Sequence, residues 1–520
     1  MIDLKRTSIG IELGSTRIKS VLIGENGHIL AQGNHTWENR FENNFWTYSL
    51  EDVINGLQSC FANLKEDFKN QYEQVLSLTG SIGISAMMHG YLVFDKDEKL
   101  LTPFRTWRNV NAEPASALLT DMLGYHIPAR WSIAHLYQAI LNNEQHVKDI
   151  AFQTTLAGYV HYLLTGKKVI GVGEASGMFP IDPKINDYDK ERLNIFNGVL
   201  KEKGFTFKLE DIFPKVLVAG DNAGTLTKEG ALLLDPTGEF NSGIMLCPPE
   251  GDAETGMVAT NAIKPGTGNI SAGTSIFGMI VLKDSLKAVY PEIDLVATPL
   301  GDMVAMVHCN NCTSDINAWV NLFNETLSAF GRQVSKEELY TKLFELSLEG
   351  DNDCSDVIAI NYLSGESITK IENGRPLLVR TTESKFNINN LMRSHIYSCF
   401  ATLKLGIDIL YQEGVKINKI AAHGGLFKTK GVAQKYLASI LDSDVSVMKT
   451  AGEGGAWGMA ILALFAQNKG DLQEFLDEIV FKSAEEIIEK PDKDIKQGFR
   501  KYLENYQKVL EAESSLSEKL

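Results

Sequence analysis

The chain has 520 residues, more than a single hydrophobic core accommodates, so two or more domains are expected. Its 44% hydrophobic and 22% charged residues are ordinary for a globular protein. A net charge of −16 argues against non-specific binding to nucleic acid or to an anionic membrane, though not against an anionic nucleotide held by backbone amides and a divalent cation.

The first residues, "MIDLKRTSIGIELG", enter a strand pattern at once and contain no signal-peptide apolar region. No run of about 18 apolar residues follows anywhere, so no membrane span is expected. The six cysteines (Cys60, Cys247, Cys309, Cys312, Cys354, Cys399) are scattered, a cytosolic pattern rather than a disulfide framework. A cytoplasmic protein is therefore expected.

Thr7–Glu12 and Ile18–Ile23 read as two strands joined by the turn in "IELGST", and "GHILAQG" as a third. From Ser49 to about Asn70, the helical spacing of Val53, Leu57, Phe61, Leu64 and Phe68 predicts an amphipathic helix. Ser49 with Asp52 has the form of a capping box. "SIGISAMM" at Ser81–Met88 returns to strand character and ends at "HG". Strands, helix and strand in this order suggest an α/β layer architecture.

The second half repeats the plan. "TGNISAGTSIFGMIVL" predicts strand, turn and strand, "INKIAAHGG" a strand ending in glycines, "TKGVAQKYLASIL" a helix, and "AGEGGAWGMAILALFAQ" a helix after a glycine cluster. The halves are expected to meet near residues 255–265, giving domains 1–258 and 259–520. The charged tail from about residue 483 reads as a peripheral helix pair, with Ile487, Ile488, Phe499, Tyr502 and Val509 as its apolar contacts.

"IELGST" and "ISAGTS" place Gly14 and Gly273 at equivalent turns. A glycine turn with hydroxyls at its tip presents backbone N–H groups and Ser/Thr donors to phosphate oxygens. Two such turns in two α/β halves suggest duplicated domains gripping one polyphosphate. Asp252, after a glycine at a strand end, suits either a general base or a helix N-cap. "HCNNC" at 308–312 lacks the second ligand pair that a structural zinc site needs.

These residues resemble the actin-like ATPase superfamily and, within it, the FGGY carbohydrate kinases, closest to the xylulokinase branch. "IELGSTRIKSVLI" and "SAGTS" are similar to the two phosphate hairpins of the family. "SAMMHG" resembles its Gly-Gln-Met-His-Gly segment, "FRTWRN" a Trp-Asn-Asp segment, and "GEASGMFPID" the Asp-Ala-Ser-Gly segment over the sugar. "PPEGDAETG" resembles the segment bearing the catalytic aspartate, "NYLSGE" the Pro-Tyr-Leu-Ser-Gly-Glu segment, and "HGGLFKTKGVAQ" and "GEGGAWGMAILA" the adenosine-pocket segments.

The resemblance implies an α/β fold of two actin-like (ribonuclease H-like) domains with a cleft between them. It implies transfer of the ATP γ-phosphoryl group to a ketopentose such as D-xylulose, with Mg2+. It makes Asp252 the base and gives Met88, His89, Trp107 and Asn109 to the sugar. Gly14, Ser15, Thr16, Lys19, Gly273, Thr274 and Ser275 fall to the phosphates, Gly424, Gly425, Gln434 and Gly455 to the nucleoside end, and Glu12 to the metal. The partners expected are sugar and ATP, with no nucleic acid or membrane, and a homodimer is compatible with the sequence.

Asn109 and Asn111 stand where the family has Asp and Arg, Ala253 replaces the Asn after the catalytic Asp, His135 replaces a Lys, and Tyr397–Ser398 replace Glu-Gly. Changes beside the sugar site leave L-ribulose or another ketopentose open. The rivals from other classes are a nucleotide-gated binding ATPase on the same scaffold and a sugar-sensing transcription factor. The second would want a basic helix-turn-helix extension that the chain lacks.

Overall fold

The computed structural model describes residues 2–448 and 454–517. The chain divides into two compact units. The first is Met1–Ile263 with Asp294–Val304 and Glu453–Ser483, and the second is Lys264–Ile293 with Ala305–Gly452 and Ala484–Leu520. Gly452 and Glu453, at the head of "GEGGAWGMAILA", lie outside the described residues.

In the first unit, β1 (Ser8–Leu13) and β2 (Arg17–Ile23) form an antiparallel hairpin with Glu12 opposite Lys19. β3 (Ile29–Thr36) extends it beyond β2. On the other side β4 (Ser81–Ala86) runs parallel to β1, with Glu12 level with Ser85. β5 (Met245–Leu246) and β6 (Glu250–Gly251) run parallel to β4.

Alternation along β1 sends Ile9, Ile11 and Leu13 to one face and Gly10 and Glu12 to the other. On the side of Ile9, Ile11 and Leu13 the sheet packs against α1 (Leu50–Tyr72), which lies mainly over β3 and β2 and buries Val53, Leu57, Phe61, Leu64 and Phe68. α1 starts as the sequence spells it: the Ser49 Oγ accepts a hydrogen bond of 3.0 Å from the Asp52 N–H. The Gly10 face receives the glycine-rich helix Gly454–Asn468 so closely that a side chain at position 10 would run into the Ala456 carbonyl and the Ala460 amide. Glu12 therefore faces the start of that helix. Four more helices matter here: α2 (Ser132–Leu141), α3 (Leu156–Thr165), α4 (Val172–Ser176) and α5 (Asp252–Ala259).

The second unit repeats the kernel. β7 (Thr267–Ala272) and β8 (Ile276–Val281) form a hairpin, and β9 (Lys419–His423) runs parallel to β7 with Ser271 level with His423. β10 (Asp444–Met448) continues the sheet in parallel, and β11 (Glu486–Glu489) closes it in antiparallel. Its helices include α6 (Thr313–Ala329), α7 (Ile388–Gln412), α8 (Val432–Leu441) and α9 (Lys493–Ser517).

The tail corrects the expected helix pair. Ile487 and Ile488 belong to the edge strand β11, because two adjacent β-branched residues fit a pleated edge better than a helix turn. Among the described residues of the tail only α9 is helical, and it buries Phe499 and Tyr502 as expected. All six cysteines are free and buried.

Candidate active site

Three parallel strands of the first unit end side by side. Leu13 of β1 is level with Ala86 of β4, and Ala86 with Gly251 of β6. The residues just beyond those ends are the Gly14–Thr16 turn, Met87–Met88–His89, and Asp252. Carboxyl ends of strands in an open α/β sheet are where ligands bind.

Asp252 is half-buried and is the first residue of α5, with Gly251 in the cap position. The N-cap alternative raised by the sequence is thus taken by the glycine, and the Asp252 carboxylate points elsewhere. Its Oδ1 accepts from the Met88 backbone N–H at 3.3 Å. Burial and the nearby Glu12 carboxylate push its pKa up to about 7, against the opposing pull of backbone N–H donors.

His89 has a backbone φ of 68°, in the left-handed region that bulky residues seldom occupy. It is held there by a 3.3 Å contact of Nδ1 with the Gly177 carbonyl and by stacking on Trp131, with centroids 6.3 Å apart. Burial and the Arg130 guanidinium lower its pKa to about 3, so the ring is neutral. With Nδ1 donating to Gly177, Nε2 is an acceptor for a substrate hydroxyl. Met88 is buried between Gly177 and Gly251.

The hairpin tip is fixed by aromatic residues. Trp37 donates to the Gly14 carbonyl at 2.7 Å, Tyr48 to the Ser15 carbonyl at 2.6 Å, and Trp107 to the Ser15 Oγ at 3.2 Å. Thr16 is exposed. Glu12 accepts from the Ala456 N–H at 3.1 Å, at the positive end of the glycine-rich helix, and faces Lys19 across the hairpin. Gly455 gives that carboxylate room: a Cβ there would lie 2.7 Å from the Thr255 Oγ1 and 3.1 Å from the Glu12 carboxyl.

In the second unit the tip Gly273–Ser275 is latched by the start of α6. The Cys312 N–H donates to the Thr274 carbonyl at 2.9 Å, and the Thr313 hydroxyl to the Gly273 carbonyl at 2.7 Å. "HCNNC" thus serves as a latch strand and turn, with both cysteines buried. Gly424 packs on the end of β7, where its φ of 104° and the adjacent Ala272 carbonyl leave no space for a side chain. Gly425 is exposed beside it and opens onto empty space.

Family models match both halves of the chain: the N-terminal domain of the FGGY family of carbohydrate kinases over residues 7–235 and its C-terminal domain over residues 268–467. The chain belongs to the FGGY family of carbohydrate kinases. This FGGY kinase is 25% identical over 479 residues to a xylulose kinase of Haemophilus influenzae, covering 90% of each chain. Its fold is similar to that of a xylulose kinase from Lactobacillus acidophilus (TM-score 0.79, 17% identity, 97% of each chain). It is equally similar to that of a gluconate kinase from the same organism (TM-score 0.79, 17% identity, 99% of each chain). Among the described residues no helix is long and apolar enough to cross a membrane.

Two residues assigned from the resemblance are not brought to the strand ends. Asn109 is buried, and its amide pairs with the backbone of Trp46 (N–H to Oδ1 at 2.8 Å, Nδ2 to carbonyl at 2.9 Å) and with the Thr106 carbonyl. It ties its own loop to the strand that carries Trp46. Gln434 is buried in α8 and donates to the carbonyls of Val445 and Ile487, fastening that helix to β10 and β11.

Sequence reasoning passed over a group of buried acids beside Asp252. Glu174, Glu250 and Glu254 are essentially inaccessible to solvent. Their signal was the alternation of glycine and acid in "GVGE" and "EGDAE", because Gly171, Gly173 and Gly251 make the space those carboxyls occupy.

Proposed function

We propose that this kinase phosphorylates a ketopentose, D-xylulose first, with Asp252 as general base. The observation that carries the reading is a half-buried carboxylate at the end of β6 whose proton affinity matches neutral pH, beside a neutral histidine. The attacking hydroxyl gives its proton to Asp252 as its oxygen bonds to phosphorus, and the bond from phosphorus to the ADP oxygen breaks. His89 Nε2 accepts from a neighbouring sugar hydroxyl and orients the chain of the substrate. The neutral ring can do so, whereas an imidazolium could only donate.

FGGY sugar kinases use ATP. The two hairpin tips, with their hydroxyls and turn amides, suit phosphate oxygens, and Lys19 adds a positive charge beside the first. Mg2+, when bound, supplies neutralisation of phosphate charge. No cluster of three or more His, Cys, Asp or Glu side chains disposed to hold an ion exists among the described residues. Glu12, whose carboxylate accepts from the Ala456 N–H beside the first tip, would be the protein's anchor for an ion that keeps most of its waters.

L-ribulose is the second reading. It is kept open by Asn109 and Asn111, which stand where the family has Asp and Arg beside the sugar. The test is ADP release measured with D-xylulose, L-ribulose, D-ribulose, L-xylulose, glycerol and gluconate. D-xylulose is expected to give the highest kcat/KM. Preference for gluconate or glycerol would overturn the ketopentose assignment.

A further inference from the structure

Three glutamates crowd the backbone that leads into Asp252. A Cβ on Gly251 would collide with Glu174 Oε2 and with Glu254 Oε2, so both carboxyls press on the same Cα. A Cβ on Gly173 would lie 2.5 Å from Glu254 Cγ and 2.6 Å from Glu250 Oε2. Glu250 Oε2 accepts from the Glu174 backbone N–H at 2.8 Å, which joins β6 to α4.

Both oxygens of Glu174 and both of Glu254 are buried, and among the described residues their polar neighbours are only the Thr155 hydroxyl beside Glu174 and the Glu254 backbone N–H beside its own carboxyl. The groups acting on them are other acids, Glu250 and Asp252, with the Thr155 hydroxyl at the head of α3. Behind them stand Tyr188 and Cys247, both neutral, and beyond Asp252 stands Glu12. The buried His161 on α3 is neutral and bonded to the Ala223 carbonyl, and Asp294 is paired with Arg130. No cation faces the glutamates from these elements.

Two dry carboxylates on one Cα, without a counter-charge, cannot both be ionised. Protonation of the carboxyls removes the repulsion. We propose that Glu174 and Glu254 are a positioning pair that shares protons and, by clamping Gly251 between neutral carboxyls, holds Asp252 against the Met88 amide. When the pair loses its protons, charge repulsion across Gly251 displaces the start of α5 and the base with it. The inference rests on Asp252 being the base, yet the pair's protonation is readable without turnover.

The experiment has two arms. Infrared spectra of the wild-type enzyme at pH 8 are expected to show the carbonyl stretch of buried protonated carboxyls, weakened in E174Q and in E254Q. In the second arm, pH–rate profiles are compared for wild type and E174Q/E254Q, each relative to its own maximum. The alkaline limb is expected to move up by about one pH unit or more, because the amides cannot ionise, while the acid limb set by Asp252 stays. An unmoved alkaline limb would overturn the proposal, and so would a wild-type spectrum with only ionised carboxylates at pH 8. The infrared arm needs no folded double variant, and it stands even if Asp252→Ala were to show that the base lies elsewhere.

Discussion

The two hairpins share a scaffold and differ in what surrounds their tips. In the first unit, register puts Glu12 beside the turn, and the neighbouring strand ends carry Met88, His89 and Asp252. In the second, the residue two positions before the tip glycine, as Glu12 is in the first, is Ser271, and Gly424 and Gly425 follow the end of the neighbouring strand. Aromatic side chains brace the first tip, whereas the amide and hydroxyl groups at the start of α6 latch the second. The same fold thus presents ionisable side chains in one unit and bare backbone in the other. On the proposed reading, proton transfer falls to the first, and contact with a ligand's flat or anionic parts to the second.

The comparison breaks most directly at Asp252. Asp252→Ala is expected to lower kcat by about 10²–10⁴-fold, the range of a positioned general base. ATP affinity, measured by calorimetry, should be retained, and near-normal turnover would move the base elsewhere. In the wild type, kcat/KM should fall about tenfold for each pH unit below 7, since Asp252 accepts a proton only while ionised. A profile flat from pH 5.5 to 7 would contradict the raised proton affinity.

The position-matched pair sharpens the contrast. Glu12→Gln is expected to raise the Mg2+ concentration needed for half-maximal rate by about 10–100-fold, whereas Ser271→Ala should change it by no more than about twofold. Equal effects would mean that the two tips are not specialised. Among the substitutions expected to impair the enzyme, the smallest effect falls at the latch. Thr313→Val removes one hydrogen bond to Gly273, about 1 kcal/mol, and so raises the KM for ATP by about fivefold. The KM for sugar should not move, and a shift confined to the sugar would reverse the assignment of the second tip.

Much of this was legible because it is local. The strands around Gly14 and Gly273, the Ser49 cap and the apolar stripe of α1 depend on residues a few positions apart, and they lie within a residue or two of where periodicity puts them. Asp252 was legible as a candidate base only through the family motif, because "EGDAETG" also spells a helix start. The fates of Asn109 and Gln434 were not legible. Each follows the family pattern in type or position, but its amide is claimed by backbone groups from a different stretch of chain. The buried glutamates stayed hidden for a related reason. A charged residue in a polar segment reads as solvated until strand register shows that β6 and α4 meet over it.

The glycine-rich helix has a consequence for how the protein is made. Gly10 sits in the first strand, yet the surface it accepts is Ala456 and Ala460, and Gly458 likewise abuts the Thr255 carbonyl. The first unit therefore includes residues that leave the ribosome near the end of synthesis. The amino-terminal sheet must wait, with one face uncovered, while more than four hundred residues emerge. A fragment released at Ile263 would expose that bare sheet face, a surface that chaperones recognise.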